Sequence, residues 1–327
     1  MPVDEIEIPD GQIITETGAY RMSMDWYHSQ CCDGPSISST GLRTIYHESP
    51  ADFWAFSDLN DFRFEKEASP AFTYGRAAHA LLLGDEDFEA SFIVLPKVAP
   101  PKPTAAQISA RAQGRVSDAA AERFEFWDDF DARAAGREIL TMTDLIHIEH
   151  LADRLREHEL LPILMEGARE QSLIWQDEKT GIWLKSRLDI QSATGDFADL
   201  KTTRHRRLDL IMRDIRQHGY DMQVALQTMG IEAVHGIPFT PESYAGRACI
   251  DIFVHKEPPY HIIPVELSFD ALVWARRKIR AAIDTMKECI DTDIWPGPVE
   301  GIPVYTPDFE LQTLEAKVEA GLLPFDA

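Results

Sequence analysis

Long apolar runs are missing from this chain: no stretch of about 18 apolar residues appears, so a membrane-spanning helix is not expected. The opening residues Met1-Pro-Val-Asp-Glu-Ile-Glu7 also lack the basic-then-apolar pattern of a secretory signal, and the expected location is cytoplasmic. Cysteine is scarce. Cys31, Cys32, Cys249 and Cys289 show no Cys-x-x-Cys spacing, which argues for reduced structural thiols and against a zinc knuckle or an iron–sulfur cluster. No Gly-rich phosphate loop ends in Lys-Ser or Lys-Thr, so no nucleotide cofactor is expected. Basic residues are in short supply. With 32 Lys plus Arg against 55 Asp plus Glu, the net charge is -23, wrong for gripping nucleic acid along the whole surface.

What is present is a 327-residue chain, 44% hydrophobic, long enough for one elaborated domain or two small ones. Residues 1–35 are acidic and weakly periodic and read as a flexible arm. Residues 36–295 read as one domain with a helical insertion over about 97–165, which begins at the Pro-rich run Pro96–Pro103. Residues 296–327 form a tail rich in Pro and Gly. Within the domain, spacing predicts short helices over 38–46 and 49–54, then longer ones over 72–83 and 143–166. Three strands follow, over 171–176, 182–190 and 196–201, joined by turns at Asp177–Gly181 and Gln191–Gly195. Helices over 208–217 and 220–233, strands over 247–255 and 260–265, and a helix over 269–289 capped by Ser268 complete the pattern. The expected fold class is α/β (α+β), a mixed central sheet flanked by helices.

The chemistry concentrates on the second and third of those strands. Trp183-Leu-Lys-Ser-Arg-Leu-Asp189 and Phe197-Ala-Asp-Leu-Lys-Thr-Thr203 bring two carboxylates and an ammonium to one hairpin. Side chains alternate along a strand, so Asp199 and Lys201 share a face. A hard cation takes carboxylate oxygens and keeps waters and substrate phosphate as further ligands, a role open to Asp189 and Asp199. Lys201 could orient the attacking water and offset charge developing on phosphorus. An acid-x-Lys triplet occurs three times, at Asp177-Glu-Lys179, Asp199-Leu-Lys201 and Glu315-Ala-Lys317. Only Asp199 and Lys201 end an apolar-alternating strand beside another acid; a surface ion pair at a strand end stays an open alternative from these local features. From Lys185 to Arg216 eight basic residues meet five acids, a net +3 island in an acidic chain. Lys185, Arg187, Arg204, Arg206 and Arg207 in that island are the candidate DNA contacts.

With these residues in place, the chain resembles the PD-(D/E)XK nuclease superfamily, and within its RecB-type branch it is similar to the phage and prophage exonuclease VIII (RecE) group. The likeness rests on Ile37-Ser-Ser-Thr-Gly-Leu-Arg43, Tyr74-Gly-Arg-Ala-Ala-His79, Glu170-Gln-Ser-Leu-Ile-Trp175, Leu184-Lys-Ser-Arg-Leu-Asp189, Asp199-Leu-Lys-Thr-Thr203 and Tyr220-Asp-Met-Gln223. It implies a PD-(D/E)XK restriction-endonuclease-like core and a Mg²⁺- or Mn²⁺-dependent exodeoxyribonuclease. Such an enzyme digests linear duplex DNA 5′→3′ and leaves 3′ single strands for recombination. Carried over, His79, Asp189, Asp199 and the Leu200 carbonyl are metal ligands, Lys201 is the catalytic lysine, and Gln223 and Tyr220 lie near the lysine or the DNA. Glu170 is a candidate supporting acid. The implied partners are double-stranded DNA ends, a RecT-like single-strand annealing protein and further copies of the chain in a ring, expected to be a tetramer. One departure stands out: Gln227 occupies a place where relatives often carry tyrosine. The alternatives are an endonuclease on the same core and a non-catalytic acidic DNA mimic.

Overall fold

The computed structural model describes residues 5–65, 70–84, 87–159, 168–192, 196–299, 301 and 316–320. Ten strands are placed among them: β1 (Ile6–Glu7), β2 (Gly18–Arg21), β3 (Ser36–Ser38), β4 (Phe92–Leu95), β5 (Glu138–Thr141), β6 (Ala168–Gln176), β7 (Trp183–Gln191), β8 (Phe197–Thr203), β9 (Cys249–His255) and β10 (Ile262–Glu266). Eight of these form the central sheet, in the order β1-β2-β6-β7-β8-β9-β10 with β3 also paired to β7, while β4 and β5 make a small parallel pair. The central sheet is mixed: β6–β7, β7–β8 and β9–β10 are antiparallel, β3–β7 and β8–β9 parallel. β9 returns beside β8 by way of a helical crossover, as parallel neighbours require.

The helices are α1 (Met24–His28), α2 (Ser39–His47), α3 (Pro50–Ala55), α4 (Pro70–Leu83), α5 (Phe88–Ser91), α6 (Ala105–Ala112), α7 (Asp118–Ala134), α8 (Met142–Arg156), α9 (Leu208–Gln217), α10 (Tyr220–His235), α11 (Pro241–Tyr244) and α12 (Phe269–Thr292). Their starts follow local chemistry. Ser49 accepts from the Asp52 N–H with Pro50 in the first turn of α3, Thr141 and Asp144 form a capping box on α8, and Ser268 accepts from the Ala271 N–H on α12.

Two apolar layers clamp the sheet. On one side α2, α10 and α12 bury Leu42, Val224, Leu226, Ile279 and Ile283 against Leu173, Leu184, Leu188 and Phe197. On the other, Leu83 of α4 and Leu151 and Leu155 of α8 cover Ile190, Ala198, Leu200 and Ile252. α10 lies close enough to β6 that a Cβ added at Gly230 would sit 2.8 Å from Trp175 Cζ3. Glycine there sets the helix–sheet spacing and holds up the face of α10 that looks at the site.

One expectation changes. The described part of the expected flexible arm, residues 5–35, joins the fold: β2 pairs with β6, and Ile14, Tyr20, Tyr27 and Cys31 are buried together against Ile174 and Trp183. The apolar residues there are too few and too irregularly spaced to reveal a strand, yet an open edge of β6 gives their backbone a partner. In the insertion, α8 ends at Arg156; the rest of the helix expected to 166 lies largely outside the described residues, as does most of the 296–327 tail. No described helix is long and apolar enough to cross a membrane.

Candidate active site

The site forms where two strands part. β7 and β8 pair only at Ile190↔Ala198 and Gln191↔Phe197, and further along β7 the place of β8 beside it is taken by β3, which pairs at Ser36↔Trp183 through Ser38↔Lys185. Asp189 and Asp199 stand at the fork. With no strand opposite, the Leu200 N–H donates to Asp189 Oδ2 at 2.6 Å, and the Leu200 carbonyl accepts from His79 Nε2 at 2.9 Å. That bond puts a proton on Nε2 and leaves Nδ1 facing Asp189 Oδ2, 3.6 Å away. In the neutral ring Nδ1 and the carboxylate are both electron-pair donors, an arrangement that a cation between them would satisfy.

Glu170 completes this arrangement. It lies on β6 between the pairs Arg169↔Ile190 and Gln171↔Leu188, hence across the ladder from Asp189. Its backbone is left-handed, φ +52°, a conformation uncommon outside glycine, set between the β6–β7 pairs on either side of it. Ligand atoms of His79, Glu170 and Asp189 lie within 4.8 Å of one another, and Glu170 and Asp189 are buried. One imidazole and two carboxylates suit a divalent ion that takes oxygen ligands and tolerates nitrogen. Burial pushes Asp189 up to about 6, the Asp199 charge adding to the rise.

Asp199 is held apart from that trio. Its Oδ2 pairs with Lys201 Nζ, and its Oδ1 accepts from Gln223 Nε2 at 2.9 Å and Gln227 Nε2 at 3.0 Å. Gln223 and Gln227 are one turn apart on α10, so both amides reach the same carboxylate. Gln223 Oε1 accepts from Lys201 Nζ at 3.0 Å, and the Tyr220 ring lies 5.1 Å from that ammonium. Burial alone would lower the lysine, but the carboxylates of Asp199, Asp251 and Asp189 outweigh it and raise its pKa above the ordinary range. Lys201 is therefore charged at neutral pH, a donor and a point charge rather than a base.

Glu170, expected as a supporting acid, stands with His79 and Asp189, while both oxygens of Asp199 are engaged by Lys201 and the two glutamines. The Leu200 carbonyl is taken by His79. Gln227, the apparent departure, donates to Asp199 Oδ1. Asp251 escaped notice altogether: it is the Cα partner of Asp199 across β8–β9, fully buried, and neither carboxylate oxygen has a hydrogen-bond partner among the described residues. Burial raises it to about 8, against the pull of Lys201 and with further push from Asp199 and Asp189. An acid alone in the otherwise apolar run Cys249-Ile-Asp-Ile-Phe-Val254 was the signal available.

His79, Glu170, Asp189, Asp199, Lys201 and Gln223 line a cavity of about 450 Å³ whose wall also includes Arg43, Arg76, Arg187 and Phe72. The expected DNA contacts divide. Lys185 is 2% exposed and its Nζ donates to the carbonyls of Tyr27 (2.8 Å) and Ser29 (2.6 Å), so it anchors the N-terminal segment rather than a phosphate. Arg187 is tied to Glu170 at 2.9 Å, Arg206 to the Pro258 carbonyl at 3.0 Å, and Arg207 to Asp209 by two bonds of 2.9 and 2.7 Å. Tyr220 packs on Lys201, and the exposed Arg204 side chain is left for a ligand.

A family model described as a PDDEXK-like domain of unknown function (DUF3799) matches residues 38–305. None of the curated proteins matches. Among solved structures, the chain is similar to a crystal structure named "Putative exonuclease" from Eubacterium rectale, with 14% identity, a TM-score of 0.49, and coverage of 84% of this chain and 92% of that one.

Proposed function

Because the chain belongs to the family of PDDEXK-like domains (DUF3799) and so to the PD-(D/E)XK nuclease superfamily, we propose that it is a metal-dependent exodeoxyribonuclease. In this reading it digests linear duplex DNA 5′→3′ and leaves 3′ single strands for a single-strand annealing partner in phage-type recombination. The observation that carries the nuclease chemistry is the fork, which sets an imidazole and two carboxylates beside a charged lysine locked by Asp199 and Gln223. Polarity, annealing partner, ring assembly and exonuclease mode are supported by the resemblance of the quoted motifs to the exonuclease VIII group.

His79, Glu170 and Asp189 are the residues that would hold the ion, proposed as Mg²⁺ with Mn²⁺ able to replace it. Bound there, a divalent ion supplies positive charge to the scissile phosphate and lowers the pKa of a ligated water. The protein groups do the rest. Lys201, kept protonated chiefly by the Asp199 carboxylate, donates toward the attacked phosphate and stabilises charge as it develops. Asp199, fixed by both glutamine amides, holds the lysine in place. Arg43 and Tyr220 wall the cavity beside it.

Linear and covalently closed duplex DNA, incubated with the protein and Mg²⁺, separate the readings. Loss of the linear form alone, with a 5′ label released first, is expected. Equal cutting of circles would replace the exonuclease reading by an endonuclease on the same core. A protein that sediments as a monomer would remove the ring.

A further inference from the structure

The catalytic cavity is not a closed pocket. It adjoins a second cleft of about 610 Å³, the two sharing Thr202 and Tyr220. Arg204, Arg213 and Lys256 line this cleft, and its one acid, Asp214, lies 3.5 Å from His205 Nε2. No ion pair or hydrogen bond holds the side-chain cations of Arg204, Arg213 or Lys256 among the described residues; Lys256 Nζ rests 4.7 Å from the Tyr74 ring.

Several guanidinium groups elsewhere on this acidic surface are paired. Arg111 pairs with Asp128, Arg154 with Glu157, Arg156 with Asp153 and Arg207 with Asp209. A third cavity, of about 520 Å³, adjoins the site on another side and is lined by Arg76, Arg137 and Arg187. Those three are also occupied: Arg76 by Glu138, Arg137 by the Glu89 and Arg133 carbonyls, Arg187 by Glu170. Uncommitted positive charge beside the catalytic cavity therefore lies in the Arg204–Arg213–Lys256 cleft. In a chain of net charge -23 such a cluster calls for an anionic partner.

We propose that this cleft holds the sugar–phosphate backbone of a single DNA strand as it passes between the catalytic cavity and solvent, with Arg204, Arg213 and Lys256 each facing a phosphate. The claim rests on the nuclease reading and adds the path of the strand. Tyr220 stands where cleft and cavity meet, and an aromatic ring beside a cationic groove is how single strands are held without sequence preference. Phosphates threaded here reach the fork beside Lys201.

The test measures binding of a fluorescein-labelled oligothymidylate by anisotropy over a range of salt, with Ca²⁺ present and in the Asp199→Ala background so that nothing is cut. Replacing Arg204, Arg213 and Lys256 together by Gln should weaken binding at least about tenfold at low salt. It should also flatten the slope of log affinity against log salt by about 2, near 0.7 for each phosphate no longer neutralised. A charge-matched variant, Arg111→Gln with Arg154→Gln and Arg156→Gln, should keep the original slope. An unchanged slope in the cleft variant or an equal loss in the control would overturn the proposal; should the triple variant fold poorly, the single Arg213→Gln change, on an exposed side chain, should flatten the slope by about 0.7, and no flattening would overturn the proposal equally. Native-sequence protein that binds the strand yet cuts nothing in Mg²⁺ would sink the nuclease reading and leave the cleft standing.

Discussion

Asp251→Asn should stabilise the metal-free protein, and by an amount that grows with pH. The carboxyl is fully buried, its two oxygens lack hydrogen-bond partners among the described residues, and burial raises it from 3.8 to about 8. The folded state therefore holds this proton more tightly than the unfolded chain. Between about pH 4 and about pH 8 the folded protein binds more protons, so its stability falls as pH rises through that window. Asn carries no such liability. Each tenfold change in proton affinity is worth about 1.4 kcal/mol, which sets a ceiling of about 5–6 kcal/mol above about pH 8. Water entry and local relaxation on ionisation reduce that ceiling, and the expected gain is about 2–4 kcal/mol. An amide that finds no partner subtracts a roughly constant amount at every pH. Urea unfolding of both proteins in chelator, at about pH 5, 7 and 9, gives the comparison. The stability difference should widen steadily toward high pH. Parallel curves, with a difference independent of pH, would refute the buried-acid account.

Three further outcomes follow from the same geometry. Glu170→Gln removes one carboxylate from the ligand trio and should weaken Mn²⁺ binding about 10–100-fold by calorimetry; unchanged affinity would leave Glu170 as a partner of Arg187 alone. Asp189 must be ionised to hold a cation and is raised to about 6, so metal affinity should climb with pH up to about 6 and flatten above it, and a profile flat from about pH 5 would contradict this. The raised carboxyl acts in the opposite sense on metal-free stability, which falls as pH rises through the same range. Gly230→Ala drives a Cβ to 2.8 Å from Trp175 Cζ3 and 3.2 Å from Leu173, so α10 must lift and stability should drop about 1–3 kcal/mol in urea; a neutral effect would show that the helix is free to shift.

How much was legible depended on whether a signal was local. The strands expected over 182–190 and 196–201 are found at Trp183–Gln191 and Phe197–Thr203, and the shared face of Asp199 and Lys201 follows from alternation, because period two puts acid and ammonium on one side. The helix starts at Ser49 and Ser268 were equally readable, since the cap and the turn it serves are three residues apart. The Glu170 position was not. Its closeness to His79 and Asp189 comes from an antiparallel register and a left-handed residue, neither of which leaves a mark in the sequence. Asp251 reaches Asp199 across a parallel pair separated by about fifty residues of crossover, a long-range match that no periodicity encodes. The basic island misled in part: charge counted along the chain cannot tell Arg204, whose side chain is uncommitted, from Lys185, which is spent on two carbonyls inside the fold. The strand at Gly18–Arg21 was hidden for a similar reason, because its partner β6 lies about 150 residues away.

The central claim is that the β7–β8 fork is a metal-dependent phosphodiester-cutting site, worked by a charged lysine beside Asp199. Its most direct test is the single-turnover rate of linear duplex cleavage by the native sequence, Asp199→Ala and Lys201→Ala, each with Mg²⁺ and with chelator. The account predicts cutting by the native sequence in Mg²⁺ alone. It also predicts a loss of at least about 10²–10³-fold in each variant, with thermal unfolding still cooperative. Either variant cutting at near-native rate, or native protein cutting equally well in chelator, would contradict it.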